Sequence, residues 1–168
     1  MNVPMEQWDG LKLSFPMMKI LRATSDIGVL VVEWLLPSIL TWYKENIMRE
    51  EIENVLEAMR EDYKRWSWWS SSYKPNAHSD KKIMNEMIEN YCNGLEVTEG
   101  SRYWKITSTN GSGTSRSVSG FIVKAGDKKF REGDMLKAAG WAAPARNFAR
   151  GNVLDGTGLN NARWTGIG

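Results

Sequence analysis

The chain has 168 residues, 42% hydrophobic and 25% charged, with a net charge of +2, which is long and apolar enough to bury a core and argues against wholesale disorder. One cysteine, Cys92, and one histidine, His78, exclude an internal disulfide and multi-cysteine zinc sites, and take away the usual imidazole base. The charge is uneven: residues 1–100 hold 11 Lys and Arg against 16 Asp and Glu, whereas residues 101–168 hold 11 against 4. A basic C-terminal part of this kind faces a polyanion or attracts the acidic part of its own chain.

In chain order, Pro4, Gly10 and Pro16 cut residues 1–24 into pieces that read as loop. No segment there joins a basic start, an apolar stretch and a small-residue cleavage site, so no signal peptide is expected. The apolar run "IGVLVVEWLLPSILTWY", residues 27–43, falls short of a bilayer span of about 20 residues. Glu33 lies near its middle and Pro37 interrupts it, so it reads as a buried strand or helix and no membrane role is expected. Ile47, Met48, Ile52, Val55, Leu56, Met59, Tyr63 and Trp66 then recur at three- and four-residue spacing, which predicts a long amphipathic helix over 38–66.

"WSWWSSSYKPN", residues 66–76, reads as a connection. Its tryptophans either form an exposed patch for a partner or for bases, or fold back to cap the core, which is the preferred reading. Ile83, Met84, Met87, Ile88 and Tyr91 mark a second helix over 80–93, closed by Gly94. Cys92, in its last turn, lacks a CxxC partner or neighbouring base and reads as a partly buried thiol. Past Gly94 the pattern changes to short alternating segments and Gly/Ser/Asn turns, predicting antiparallel strands at 95–97, 103–109, 117–125 and around 162–167.

The expected fold is therefore α+β: N-terminal helices packed against a small C-terminal antiparallel sheet, with one short arginine-bearing helix. Residues 1–94 form a mainly helical acidic part and 95–168 a basic β-rich module, together one compact domain. The short helix is read in "AAPARNFARGN", residues 142–152, where Pro144 suits a first turn and Gly151 a left-handed end. Arg146 and Arg150, at i and i+4, would then leave one face, with Phe148 and Ala149 turned to the core. Arg146 sits where the helix dipole disfavours a cation, which suggests an anionic partner, either a carboxylate of this protein or a ligand.

Two loops carry further basic residues. "NGSGTSR", residues 110–116, lacks the spacing and lysine of a Walker loop and reads as a hairpin connection that ends in Arg116. "GDKKFREGD", residues 126–134, sets Lys128, Lys129 and Arg131 around Phe130, which either stacks on a base or tucks inward, the latter being preferred.

Gly120-Phe121-Ile122-Val123, Lys129-Phe130, Gly133-Asp134 and Lys137-Ala138-Ala139 form a linked set with Trp141-Ala142-Ala143-Pro144-Ala145, Asn147, Ala149-Arg150-Gly151-Asn152 and Arg163-Trp164-Thr165-Gly166. This set resembles a module of small proteins of tailed bacteriophages. The resemblance covers about the last third of the chain and implies a phage origin and action in the cytoplasm of an infected bacterium. It brings no settled biochemical role and no catalytic residues.

The resulting expectation is a non-enzymatic accessory protein, without metal or cofactor, that binds nucleic acid through its basic half. Arg116, Lys128, Lys129, Arg131, Lys137, Arg146 and Arg150 would meet phosphates, and Phe130 or Trp141 would stack. The alternatives are a contact with a bacterial host protein or a place in the virion through the Trp and Met surface. An enzyme using Asp134 or Glu132 is the third.

Overall fold

The computed structural model describes residues 30–71 and 78–168. The loop reading of residues 1–24 and the last part of the connection expected over 66–76, from residue 72 on, lie outside them. The chain divides into two units, Met1–Glu45 and Asn46–Gly168. The described part of the first is helical from Leu30 onward, and the sheet and the candidate site belong to the second.

Helix α1 (Leu30–Ser71) buries Met48, Ile52, Val55, Leu56, Met59 and Tyr63, each no more than 4% exposed. These are the positions that the three- and four-residue spacing selects. Its outer face is tied by Arg60 to Glu53 (2.6 Å), Lys64 to Glu61 (2.7 Å) and Arg65 to Asp62 (3.0 Å). The helix is longer than the expected 38–66 at both ends. Residues 30–36 are helical, which decides between strand and helix for that run. The serines after Trp66 do not stop the helix, because serine is only mildly unfavourable in a helix interior. Among the described residues, no helix is long and apolar enough to cross a membrane.

Helix α2 (His78–Asn93) ends as Gly94 N–H donates to the Asn90 and Tyr91 carbonyls at 2.9 and 3.1 Å. The Tyr91 ring stacks on Tyr63 at 4.2 Å, and its hydroxyl donates to the Trp164 carbonyl at 3.2 Å. Trp66 closes this cluster 4.6 Å from Trp164. The capping reading fits Trp66 only in part, since it packs on Trp164 and is still 41% exposed, and Trp68 and Trp69 stand further out at 55% and 76%.

Strands β1 (Glu96–Glu99), β2 (Tyr103–Thr109), β3 (Arg116–Val123) and β4 (Met135–Leu136) form an antiparallel sheet in the order β1-β2-β3-β4. The first three match the expected strands to within two residues, and "NGSGTSR" is the β2–β3 hairpin connection. Strand β4 lies just past the 126–134 loop, in a stretch for which no element was expected, because two residues are too few to show a period. After a turn at Leu159–Asn161, strands β5 (Ala162–Arg163) and β6 (Gly166–Ile167) form a second, two-stranded sheet where one strand was expected. A Cβ on Gly120 would lie 2.4 Å from Ile167 Cδ1, so this glycine lets β6 approach β3.

Period-two alternation sends the two faces of the main sheet to different cores. On the inner face Trp104, Ile106, Ile122 and Met135 join Val55, Met59, Tyr91 and Ile167. On the outer face Phe121, Val123 and Leu136 are covered by Phe130, with Tyr103, Val118, Ala138 and Ala149 packed around them. Among the described residues, no helix covers the outer face. The short helix expected over 142–152 is absent, because its backbone donors serve distant acceptors. Ala145 N–H donates to the Lys137 carbonyl and Arg150 N–H to that of Met135, both at 2.8 Å. Gly151 does adopt a positive φ, 146°, but as part of a strand-like crossing rather than a helix end. A Cβ there would meet the Thr157 carbonyl oxygen at 2.3 Å.

Candidate functional site

The basic residues picked out in the sequence converge mainly on the layer that covers the outer face, residues 124–150. Asp127 organises it. Its Oδ1 accepts the N–H of Lys129 (2.8 Å) and of Phe130 (3.1 Å), a side-chain-to-backbone turn that drops the Phe130 ring onto the sheet, where it is 8% exposed. Phe130 thus tucks inward, as preferred, and presents no stacking surface.

The same carboxylate takes both ends of the Arg146 guanidinium, at 2.8 Å from Nη1 to Oδ2 and 2.9 Å from Nη2 to Oδ1. Arg146 also donates to the Tyr103 hydroxyl and lies 5.1 Å from the centre of the Phe130 ring. The Arg146 guanidinium, followed by the Lys129 N–H, holds the Asp127 carboxyl well below the usual carboxylate range. The anion that Arg146 grips is therefore internal. Arg146 and Arg150 do not share a helix face, and Arg146 belongs to the fastening of this layer.

A second polar knot holds β4 to the chain that follows. Asp134, 5% exposed, accepts from Arg131 N–H (2.9 Å) and from Asn152 Nδ2 (2.8 Å). Asn152 Nδ2 reaches the Glu132 carbonyl as well, at 2.8 Å. The Arg131 guanidinium lies 3.3 Å from Asp155 and 3.7 Å from Asp134. Arg116, at the far end of the sheet, is paired with Glu96 and donates to Thr107 Oγ1 at 3.1 Å. Three of the nominated cations are thus tied to carboxylates of this same chain.

The remaining basic nominees have no carboxylate partner among the described residues. Lys128 and Lys137 are exposed, and Lys129 Nζ donates to the Arg146 carbonyl at 2.6 Å. Lys137 stands apart, because its neighbours Leu136 and Ala138 both turn into the outer core. Residues 137–145 form a small hairpin through an Ala138–Pro144 antiparallel bridge, with Ala139 and Gly140 N–H donating to the Ala143 carbonyl at 3.1 and 3.2 Å. This puts Trp141 at the tip, 55% exposed, with Lys105 Nζ 5.0 Å from its ring centre. Arg150 lays its guanidinium 3.6 Å from the centre of the Phe148 ring. Its Nε and Nη1 are buried without a hydrogen-bond acceptor.

Two members of this surface were missed. Phe148, expected in the core, is 58% exposed, since without a helix the chain passes its ring outward while only Ala149 packs inside. Lys105 was legible: in an alternating strand it must face opposite Trp104 and Ile106. Cys92 is half-buried, and burial pushes its thiol up, away from the thiolate a nucleophile needs. Among the described residues, no group of three or more His, Cys, Asp or Glu could hold a metal ion.

No curated protein and no solved structure matches the chain. The model of a family of unknown function, DUF7717, matches residues 41–167. That span takes in the helices as well as the β-rich part, whereas the bacteriophage resemblance rests on the last third alone. Matching most of the chain, it identifies the protein as a member of this family of unknown function.

Proposed function

We propose that this protein is a non-enzymatic accessory protein that binds nucleic acid through the outer layer of its β-rich part, in the cytoplasm of a phage-infected bacterium. One observation carries the reading. The aspartates of that part, Asp127, Asp134 and Asp155, are all engaged within it, while Lys105, Lys128, Lys129, Lys137 and Arg150 have no carboxylate partner among the described residues. Glu132, exposed in the same layer, is the carboxylate there left without a cation among the described residues, and against it those five side chains leave a surplus of positive charge. Such a surface attracts phosphates through release of their condensed counterions.

The test is a fluorescence-polarisation titration of labelled oligonucleotides across a salt series. Affinity should fall linearly on a log–log plot, with a slope of about −0.7 to −0.9 per phosphate neutralised. Lys128→Ala with Lys129→Ala should make that slope shallower. Salt-insensitive binding, or none at low salt, would overturn the reading. Exposure of Trp68 and Trp69 at the end of α1 favours a second reading, a bacterial host protein as partner. Recovery of one stoichiometric protein in a pull-down that survives nuclease treatment would support it.

A further inference from the structure

We infer that the ligand of the outer layer is single-stranded nucleic acid and that two ring–cation pairs, Phe148 with Arg150 and Trp141 with Lys105, are its base-stacking seats; this rests on the nucleic-acid reading above. Both rings are more than half exposed, Phe148 at 58% and Trp141 at 55%. Each also has a cation over one face, at 3.6 Å for Arg150 and 5.0 Å for Lys105. The exposed area must therefore lie on the other face and the edges, which is where a base would stack. Large rings in a folded domain ordinarily find apolar cover. Here two rings on one short stretch of chain, 141–148, have a cation for cover instead.

The Arg150 guanidinium adds an independent sign of an absent partner. Its buried Nε and Nη1 lack acceptors, although buried donors are almost always satisfied. Phe148 covers one face of that guanidinium, so a turn of the ring toward an incoming base opens the cation to the phosphate of the same nucleotide. A phosphate oxygen would then meet donors that have no acceptor within the protein. Duplex DNA or RNA presents base edges in its grooves and keeps base faces stacked, so rings can use their faces only on unpaired bases.

The experiment uses the full chain with three probes at one fixed salt concentration: an oligothymidylate of about 12 nucleotides, within the usual site size, a duplex of equal length, and inorganic polyphosphate. The single strand should bind tighter than the duplex. Phe148→Ala and Trp141→Ala should each weaken it about tenfold, in line with the worth of one stacked base, and leave the salt slope and the melting temperature unchanged. Phe148→Trp should retain affinity, and Arg150→Gln should lower both affinity and salt slope. Equal affinity for duplex and single strand, with no response to the ring variants, would overturn the stacking inference and leave the nucleic-acid reading standing. Binding of polyphosphate alone, or of none of the probes, would overturn both.

Discussion

The two faces of the four-stranded sheet are built on different principles. The inner face meets α1 and α2 through long aliphatic and aromatic side chains, with Val55, Met59, Ile106 and Ile122 fully enclosed. The outer face has a small core around Phe121, Val123, Phe130 and Leu136, and its cover is irregular chain fastened by polar ties at Asp127 and Asp134. Regular elements can bury a wide apolar face with their backbone hydrogen bonds made internally. An irregular cover must satisfy its backbone through specific carboxylates, amides and glycines, and it leaves its other side chains free to point outward. The inner face therefore governs stability, and the outer face governs where charge and aromatic rings are displayed.

Substitutions should separate the two faces, beginning with the inner core. Met59→Ala, at a fully buried position, should cost about 2–5 kcal/mol in urea unfolding. A cost below 1 kcal/mol would mean that the helices do not pack on the sheet as described. Gly151→Ala should come next, because φ is +146° and the new Cβ would collide with the Thr157 carbonyl. Strain of this kind costs about 1–3 kcal/mol. Hydrogen exchange should then quicken at the Met135 and Arg150 amides, which this crossing protects, and stay slow in α1. Uniform loosening would remove the distinction between the faces.

The Asp127 tie should show itself through pH. Its carboxyl is held below the usual range by Arg146, so its contribution is complete above the unfolded value of about 3.9 and is lost as the pH falls toward the lower folded value. Asp127→Asn should therefore lower the melting temperature at neutral pH and should flatten its decline in acid, so that variant and wild type converge in strong acid. Parallel curves would mean that the tie is not ionic. The smallest effect belongs to Arg116→Ala. Its pair with Glu96 is exposed on both sides, 47% and 57%, and exposed pairs contribute about 0–1 kcal/mol.

Much of the inner face was legible because its signals are periodic. Spacings of three and four mark α1 and α2, and alternation marks β2 and β3, and both survive local errors such as the underestimated length of α1. The candidate site was legible in composition but not in geometry. Lys128, Lys129 and Trp141 were selected and are displayed, whereas Arg146 and Phe130 were selected and turn out to hold the layer together. Phe148 was missed because its place follows from where the backbone of 142–152 finds its partners.

The sequence by itself determined the fold class, the two helices, three of the four strands of the main sheet and the basic character of the C-terminal part, since each depends on residues near one another in the chain. Only the tertiary structure decided the fate of "AAPARNFARGN". Its Pro and Gly suit a helix locally, but pairing with Met135 and Lys137 satisfies the same backbone groups while closing the outer core. Long-range hydrogen bonds outweigh a weak local propensity. The same pairing decided which arginine is spent within the protein and which is left facing an aromatic ring.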